Sequence, residues 1–226
     1  TFDGQIITFG INNEARVMAR DISTTQSGSA FTLDIKGSGS ASVRLNVHGL
    51  FNVYNALAAA AICFSLGMSI DEIKAALETY RAFPMRFEVT EKGGITIIND
   101  SYNANPSSVR ESVYELRRLS AGRRCVAILG DMRELGEFAD DEHRGTGEMI
   151  TEAGVDVFIA VGEKMGLAAE AGMKARGEKT LTEIFMFPDA NEARGKVSDI
   201  LEKGDIVLIK GSRSMAMEKV MEGITD

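Results

Sequence analysis

Ile95-Thr-Ile-Ile-Asn-Asp100-Ser-Tyr-Asn-Ala-Asn105-Pro106 carries a β-branched run straight into a carboxylate and then into a polar turn. Asn105 suits an N-cap, and Pro106 suits the first helical position, where its missing N–H has no partner to lose. Val109, Val113 and Leu116 follow at helical spacing and give that helix one apolar face. In α/β proteins ligands sit in the crevice beyond the carboxyl ends of parallel strands. A helix N-terminus there offers free N–H groups to an anion, and a strand-end carboxylate can accept from ribose hydroxyls. The stretch therefore points to a phosphorylated ligand, although an ordinary, well-capped crossover would read the same.

Working outward, the pattern predicts strands at 87–90, 95–99, 125–129, 155–161, 184–187 and 206–210. Helices alternate with them at 106–119, 142–153, 164–175 and 189–203, and a last helix starts near Ser212. Such alternation predicts an α/β, Rossmann-like, mostly parallel sheet with helices on both faces. Residues 1–47 read instead as β. Phe31, Leu33 and Ile35 alternate with polar neighbours, as do Val43, Leu45 and Val47, and Gly37-Ser-Gly-Ser40 supplies the connection of a hairpin with one wet face. Residues 52–66 are Ala-rich and apolar nearly all round, which predicts a buried helix ended by Gly67. Ser69 and Glu72 form a capping-box pattern, and Ile70, Ile73, Leu77 and Tyr80 make the inward stripe of a second helix. Arg81-Ala-Phe-Pro84 breaks that helix. It marks a boundary between a partial segment of hairpin strands plus two helices, 1–82, and the Rossmann-like domain, 83–226.

Composition narrows the classes. With 226 residues, 44% of them hydrophobic and 26% charged, the chain reads as globular. The formal net charge of −8 argues against nucleic acid, whose binding rests on neutralising phosphates. The apolar run from Ala56 to Leu66 is too short to span a bilayer. Thr1 opens in what reads as a strand, which suggests a piece of a longer polypeptide. Cys63 and Cys125 each sit in an apolar run and read as small buried hydrophobes of a reducing compartment. His48 and His143 have no Cys or second His at ligand spacing, so protein-ligated zinc is not expected. Neither a Gly-x-x-x-x-Gly-Lys-Ser/Thr phosphate loop nor a strand-borne Gly-x-Gly-x-x-Gly occurs.

Five short words occur in order: Asn52-Val-Tyr-Asn55-Ala-Leu-Ala-Ala-Ala-Ala, Arg86-Phe-Glu88, Asp100-Ser-Tyr-Asn-Ala-Asn-Pro106, Leu129-Gly-Asp-Met-Arg-Glu-Leu-Gly136 and Lys210-Gly-Ser-Arg213. Together they resemble the Mur ligases of peptidoglycan synthesis, over essentially the whole chain but only the later part of such an enzyme. The Asp-Asn-Pro-Arg word of the diaminopimelate-adding relatives is missing, which favours the D-alanyl-D-alanine-adding branch. Relatives commonly carry His-Asn where this chain has Phe51-Asn52.

Each candidate residue has a plain structural role beside the one the resemblance implies. Asn52 and Asn55 share a helix face; an amide suits an adenine edge, but Asn52 could simply cap the helix. Arg86, by resemblance, faces phosphate or stacks on a base at the domain junction; otherwise it is a solvated surface residue. Asp100 is implied in ribose binding. Tyr102, Asn103 and Asn105 are implied on the phosphate side, although both Asn also suit the turn. Asp131, Met132 and, weakly, His143 are implied beside the incoming amino-acid substrate. Ser212 is an N-cap candidate, and Arg213 can hold a carboxylate with two parallel hydrogen bonds, which fits the end of D-alanyl-D-alanine.

The resemblance implies a cytoplasmic, monomeric, ATP-dependent amide-bond ligase acting on UDP-N-acetylmuramoyl-tripeptide, with two domains closing about Arg81–Arg86. Its phosphate loop, magnesium ligands and carbamylated lysine would lie upstream, so this chain alone should be catalytically silent. A sibling that uses glutamate, such as folylpolyglutamate synthase, and a non-catalytic nucleotide-binding module are the alternatives.

Overall fold

The structure is a computed structural model that describes residues 4–25, 27–175 and 181–224. The chain divides into two compact units, Thr1–Ala82 and Phe83–Asp226.

The first unit is a sheet of β1 (Phe9–Gly10), β2 (Val17–Thr25), β3 (Gly28–Ile35) and β4 (Gly39–Leu45), followed by α1 (Leu50–Ser65) and α2 (Ile70–Thr79). The expected hairpin is β3 and β4, with Phe31 opposite Val43 and Leu33 opposite Ala41. Gly37 and Gly39 turn it, at φ 87 and 96. Alternation works as anticipated: Phe31, Leu33, Ile35, Val43 and Leu45 are buried against Val53, Leu57, Ala60 and Ile73 of the helices. Ser69 and Glu72 close the reciprocal capping box on α2.

Three details differ from the expectation. Helix α1 begins at Leu50 behind Gly49, at φ 98, so Asn52 lies inside the first turn and is not the cap. Only one face of α1 is buried; Ile62 and Leu66 are 63% and 77% exposed, because the sheet covers a single side. Tyr80 is exposed because α2 ends at Thr79 and the chain turns extended there.

The second unit holds β5 (Glu88–Lys92), β6 (Ile95–Asp100), α3 (Pro106–Ser120), β7 (Cys125–Gly130), α4 (Ala139–Glu152), β8 (Val157–Val161), α5 (Glu163–Ala175), β9 (Glu183–Phe187), α6 (Ala190–Ile200), β10 (Ile206–Lys210) and α7 (Glu218–Glu222). Its sheet runs β5-β6-β10-β7-β8-β9, parallel except for β5. The mostly parallel sheet anticipated from the alternation is present, and β6, β7, β8 and β10 are buried along nearly their whole length, as strands covered on both faces must be.

The connections β6–α3–β7, β7–α4–β8 and β8–α5–β9 all step the same way across the sheet, whereas β9–α6–β10 returns. With one crossover hand, that reversal puts α6 on the opposite face. Helices α3, α4 and α5 accordingly contact one another in series, while α6 contacts α7. On the α6 and α7 side, Ala193, Val197, Met217 and Val220 pack with Ile97, Ile128, Ile159 and Val207. Each such fully buried aliphatic chain contributes about 1.5–3 kcal/mol. The anticipated last helix is shorter than foreseen: a 3-10 turn at Arg213–Met215 precedes α7.

Candidate functional site

Strand β10 sits between β6 and β7, yet its chain leaves toward α7 while theirs leave toward α3 and α4. Neighbouring strands whose exits part to opposite faces leave a crevice at their carboxyl ends, the usual ligand position in open α/β sheets. Parallel register aligns Lys210 with Asp100 on one side and with Leu129 on the other. The words that follow β6, β7 and β10 therefore meet on one edge.

Asp100 is the centre of that edge. Its Oδ2 accepts from Lys210 Nζ at 2.6 Å and from Ser112 Oγ of α3 at 2.8 Å. Its Oδ1 accepts from the Phe87 N–H at 3.1 Å. A carboxylate oxygen takes two hydrogen bonds, so Oδ1 keeps one acceptor site for a ligand hydroxyl. The Lys210 ammonium also donates to the Asn103 carbonyl at 3.0 Å and is only 3% exposed.

Arg86 is held between two non-glycine residues in left-handed backbone, Met85 at φ 62 and Phe87 at φ 53. Each costs about 1–2 kcal/mol, a strain that persists only where surrounding bonds fix it. Here the Met85 carbonyl accepts from Tyr102 N at 3.1 Å, and Phe87 N is tied to Asp100. The Arg86 guanidinium lies over the Tyr102 ring, 4.1 Å from its centroid. Arg86, Asp100 and Tyr102 are thus brought together.

Asn105 is the N-cap of α3, accepting from Ser108 N at 2.8 Å in a reciprocal box with Ser108. Asn103 Oδ1 accepts from Ala104 N at 2.9 Å. Both Asn serve the turn.

The exits of β7 and β10 interlock. Ser212 N donates to the Asp131 carbonyl at 3.1 Å, and Ser212 Oγ accepts from Arg133 N at 2.8 Å. Ser212 stands at the N-cap position of the 3-10 turn Arg213–Met215, but its hydroxyl makes no capping bond and instead joins the two loops. Gly211 is required here, since a Cβ on it would lie 3.1 Å from the Gly130 Cα and 2.6 Å from Met217 Cγ. Asp131 is buried and accepts from Met165 N at 2.7 Å, capping α5 from a neighbouring strand. Arg213 is half-exposed and donates to Glu218 at 2.7 Å. Burial raises the Glu218 carboxyl, but the Arg213 hydrogen bond, the helix backbone and nearby positive charge outweigh it and hold it low.

Two of the substrate-side residues are interior. His143 is fully buried. Its Nε2 accepts from Met132 N at 3.0 Å, which leaves Nδ1 to carry the proton and donate to the Ala139 carbonyl at 2.6 Å. Neither ring nitrogen is free for a ligand. The Met132 side chain is 2% exposed and belongs to the interior.

In the first unit, Asn52 and Asn55 open onto a cavity of about 320 Å³ lined otherwise by apolar groups such as Leu45, Ala56, Ala60 and Tyr80. Asn52 Nδ2 donates to the His48 carbonyl at 2.7 Å, and its Oδ1 accepts weakly from Asn55 at 3.4 Å. Cys63 lines the same cavity and is half-buried, whereas Cys125 is fully buried. Burial pushes the Cys125 thiol up despite a hydrogen bond from Arg117, so it behaves as a small core residue. Among the described residues, no group of three His, Cys, Asp or Glu is placed to hold a metal ion, and no helix is long and apolar enough to cross a membrane.

The family model described as "Mur ligase, glutamate ligase domain" matches residues 85–213, and that of the Mur ligase middle domain matches residues 2–63. The chain belongs to the Mur ligase family. UDP-N-acetylmuramoyl-tripeptide–D-alanyl-D-alanine ligase of Escherichia coli K12 is 35% identical over 209 residues, covering 92% of this chain and 44% of the relative. The diaminopimelate ligase of Geobacillus kaustophilus, which acts on UDP-N-acetylmuramoyl-L-alanyl-D-glutamate, is 34% identical over 215 residues, 91% of this chain and 42% of that one. Among solved structures, MurF from Acinetobacter baumannii superposes with a TM-score of 0.85 at 30% identity, over 97% of this chain and 46% of that one. The chain spans under half the length of these Mur ligase relatives.

Two groups of this Mur ligase edge were missed in the sequence. Lys210 carried a signal: it ends an apolar strand as Asp100 does, with the opposite charge. Ser112 carried none, since a serine on an amphipathic helix is ordinary.

Proposed function

We propose that the chain belongs to an ATP-dependent ligase that adds D-alanyl-D-alanine to UDP-N-acetylmuramoyl-tripeptide in the cytoplasm. The observation that carries this is the carboxyl edge of β6, β10 and β7, where the partly buried Asp100 carboxylate keeps one acceptor site open, the Arg86 guanidinium stacks on Tyr102, and Arg213 follows β10 half-exposed. A carboxylate is a poor electrophile until one oxygen becomes a phosphate leaving group. ATP would transfer its γ-phosphoryl group to the tripeptide carboxyl, giving an acyl phosphate and ADP. The dipeptide amine then attacks the acyl carbon, the tetrahedral intermediate collapses with loss of phosphate, and the amine proton goes to solvent or base. The site must hold both reactants together and keep water out.

In this reading Asp100 Oδ1 accepts from a ribose hydroxyl. Arg86, oriented by Tyr102, faces phosphate or base, and Asn103 and Asn105 shape the turn beneath it. Arg213 takes the dipeptide carboxylate, beside Ser212 and the Asp131 loop. In the first unit, Asn52 and Asn55 are proposed as adenine contacts, supported by the apolar cavity at whose rim they stand. No magnesium ligand is assigned to the described residues.

Because the diaminopimelate-adding relative is as similar as the dipeptide-adding one, the choice of nucleophile rests on the missing Asp-Asn-Pro-Arg word and on Arg213. The full-length enzyme, given D-alanyl-D-alanine, diaminopimelate or glutamate with its nucleotide-linked substrate, should release phosphate only with the dipeptide. Arg213→Ala should raise the dipeptide KM by about tenfold or more, the cost of a charge-assisted hydrogen bond. Turnover with diaminopimelate or glutamate, or an unchanged KM in the variant, would refute the assignment.

A further inference from the structure

We infer that Lys210 is a positioning residue for the nucleotide: it fixes the Asp100 carboxylate and, through it, the strained Arg86 loop. The inference rests on the proposed role of Asp100 at the ribose. A lysine at the ligand edge of a sheet invites a simpler reading, that it holds phosphate itself. The geometry points the other way. Two of its three N–H donors are committed inside the protein, to Asp100 Oδ2 at 2.6 Å and to the Asn103 carbonyl at 3.0 Å. The side chain is 3% exposed, so its charge is sheathed and offered to another side chain.

The chain of contact runs outward from there. Lys210 and Ser112 both bond Oδ2, which fixes the carboxylate rotation and leaves Oδ1 turned to the Phe87 N–H. That bond anchors Phe87 at φ 53, one of the two left-handed residues that flank Arg86. On the other flank, Tyr102 supports Arg86 from below, and its N–H holds the Met85 carbonyl. The second Lys210 bond, to Asn103, ties down the turn that carries Tyr102. One buried ammonium therefore braces the ribose acceptor and both supports of the guanidinium. Rotation of Asp100 would take away the acceptor site and release the strained loop together.

The test uses the full-length enzyme and compares binding of ATP and of 2′,3′-dideoxy-ATP by calorimetry. In the native protein the dideoxy nucleotide should bind about tenfold or more weakly, the loss of a hydrogen bond to a charged acceptor. If native protein does not discriminate, Asp100 is not at the ribose, and the underlying reading fails by itself. If it does, Lys210→Met should bind both nucleotides with nearly equal affinity. A methionine leaves the partly buried carboxylate without its cation and can cost the fold, so Lys210→Arg is the paired variant. It keeps the charge, but its longer, planar guanidinium fixes the directions of its donors and does not reproduce the placement of the ammonium between Asp100 and Asn103. It should unfold at nearly the native temperature while discrimination narrows several-fold. A merely structural lysine would weaken both nucleotides alike. Native discrimination in a folded Lys210→Met, or in Lys210→Arg, overturns the inference.

Discussion

Replacing His143 by Ala separates a packing role from a ligand role. The imidazole is fully buried and makes two hydrogen bonds, accepting from Met132 N and donating to the Ala139 carbonyl. Deleting it removes about 1 kcal/mol net for each bond and leaves the Met132 N–H unsatisfied at about 1–3 kcal/mol more. The hydrogen-bond losses sum to about 3–5 kcal/mol, and the vacated volume adds to this. For a unit of this size each kcal/mol moves the midpoint by roughly 2–4 °C, so the hydrogen-bond losses alone should lower Tm by roughly 6–20 °C. His143→Gln can still accept from Met132 N through its carbonyl oxygen and should lose about half as much. Thermal unfolding followed by circular dichroism measures both. A variant with native Tm that had lost only dipeptide binding would refute the packing assignment and restore His143 to the substrate side.

Two glycines of α4 should respond with opposite signs. A Cβ on Gly147 would overlap the Ala168 carbonyl of α5, so Gly147→Ala must push the helices apart, at about 1–3 kcal/mol. Gly145 is exposed with nothing near its Cβ position, and Gly145→Ala should stabilise by about 0.5–1 kcal/mol; urea midpoints moving in the same direction for both would contradict that packing. The Arg213–Glu218 pair predicts a pH effect. Glu218 is held below its ordinary value of 4.5, so its contribution is present above that pH and is lost as pH falls through the folded value. The stability gap between the native chain and Arg213→Ala, under about 1 kcal/mol for so exposed a pair, should be constant near neutral pH and close as pH falls below 4.5. A gap independent of pH would show that the pair does not set the Glu218 titration.

The fold was legible because its determinants are local and periodic. Buried parallel strands need unbroken apolar runs, and Cys125–Gly130 and Ile206–Lys210 supply them within a residue of the expected bounds. Caps were legible for the same reason: Ser69 and Asn105 each accept from the N–H three residues ahead. What was not legible depends on partners far along the chain. The apolar circumference of α1 predicted burial all round, but burial depends on what covers a face, and the sheet covers one. Ser212 has the composition of a cap, yet its hydroxyl is claimed by Arg133, 79 residues away.

The same division explains the site. Asp100 could be singled out because a carboxylate ends an apolar strand just before a capped helix, whereas Arg86, an ordinary surface residue by local pattern, was singled out by the family resemblance alone. Their geometry could not be read, because it is set by register. Only when β10 is threaded last between β6 and β7 does Lys210 come beside Asp100, 110 residues away. Only then does Gly211 pass so close to Gly130 that a Cβ on it would press on the Gly130 backbone, while a Cβ on Gly130 would meet the side chain of Met217. Opposite charges ending two apolar strands are therefore a long-range signal in their own right. A buried ammonium and a partly buried carboxylate at strand ends are each costly alone, and parallel register is what lets them meet. Had β10 been placed at the outer edge of the sheet, both charges would have lacked a partner, so the pair itself argues for the inserted position.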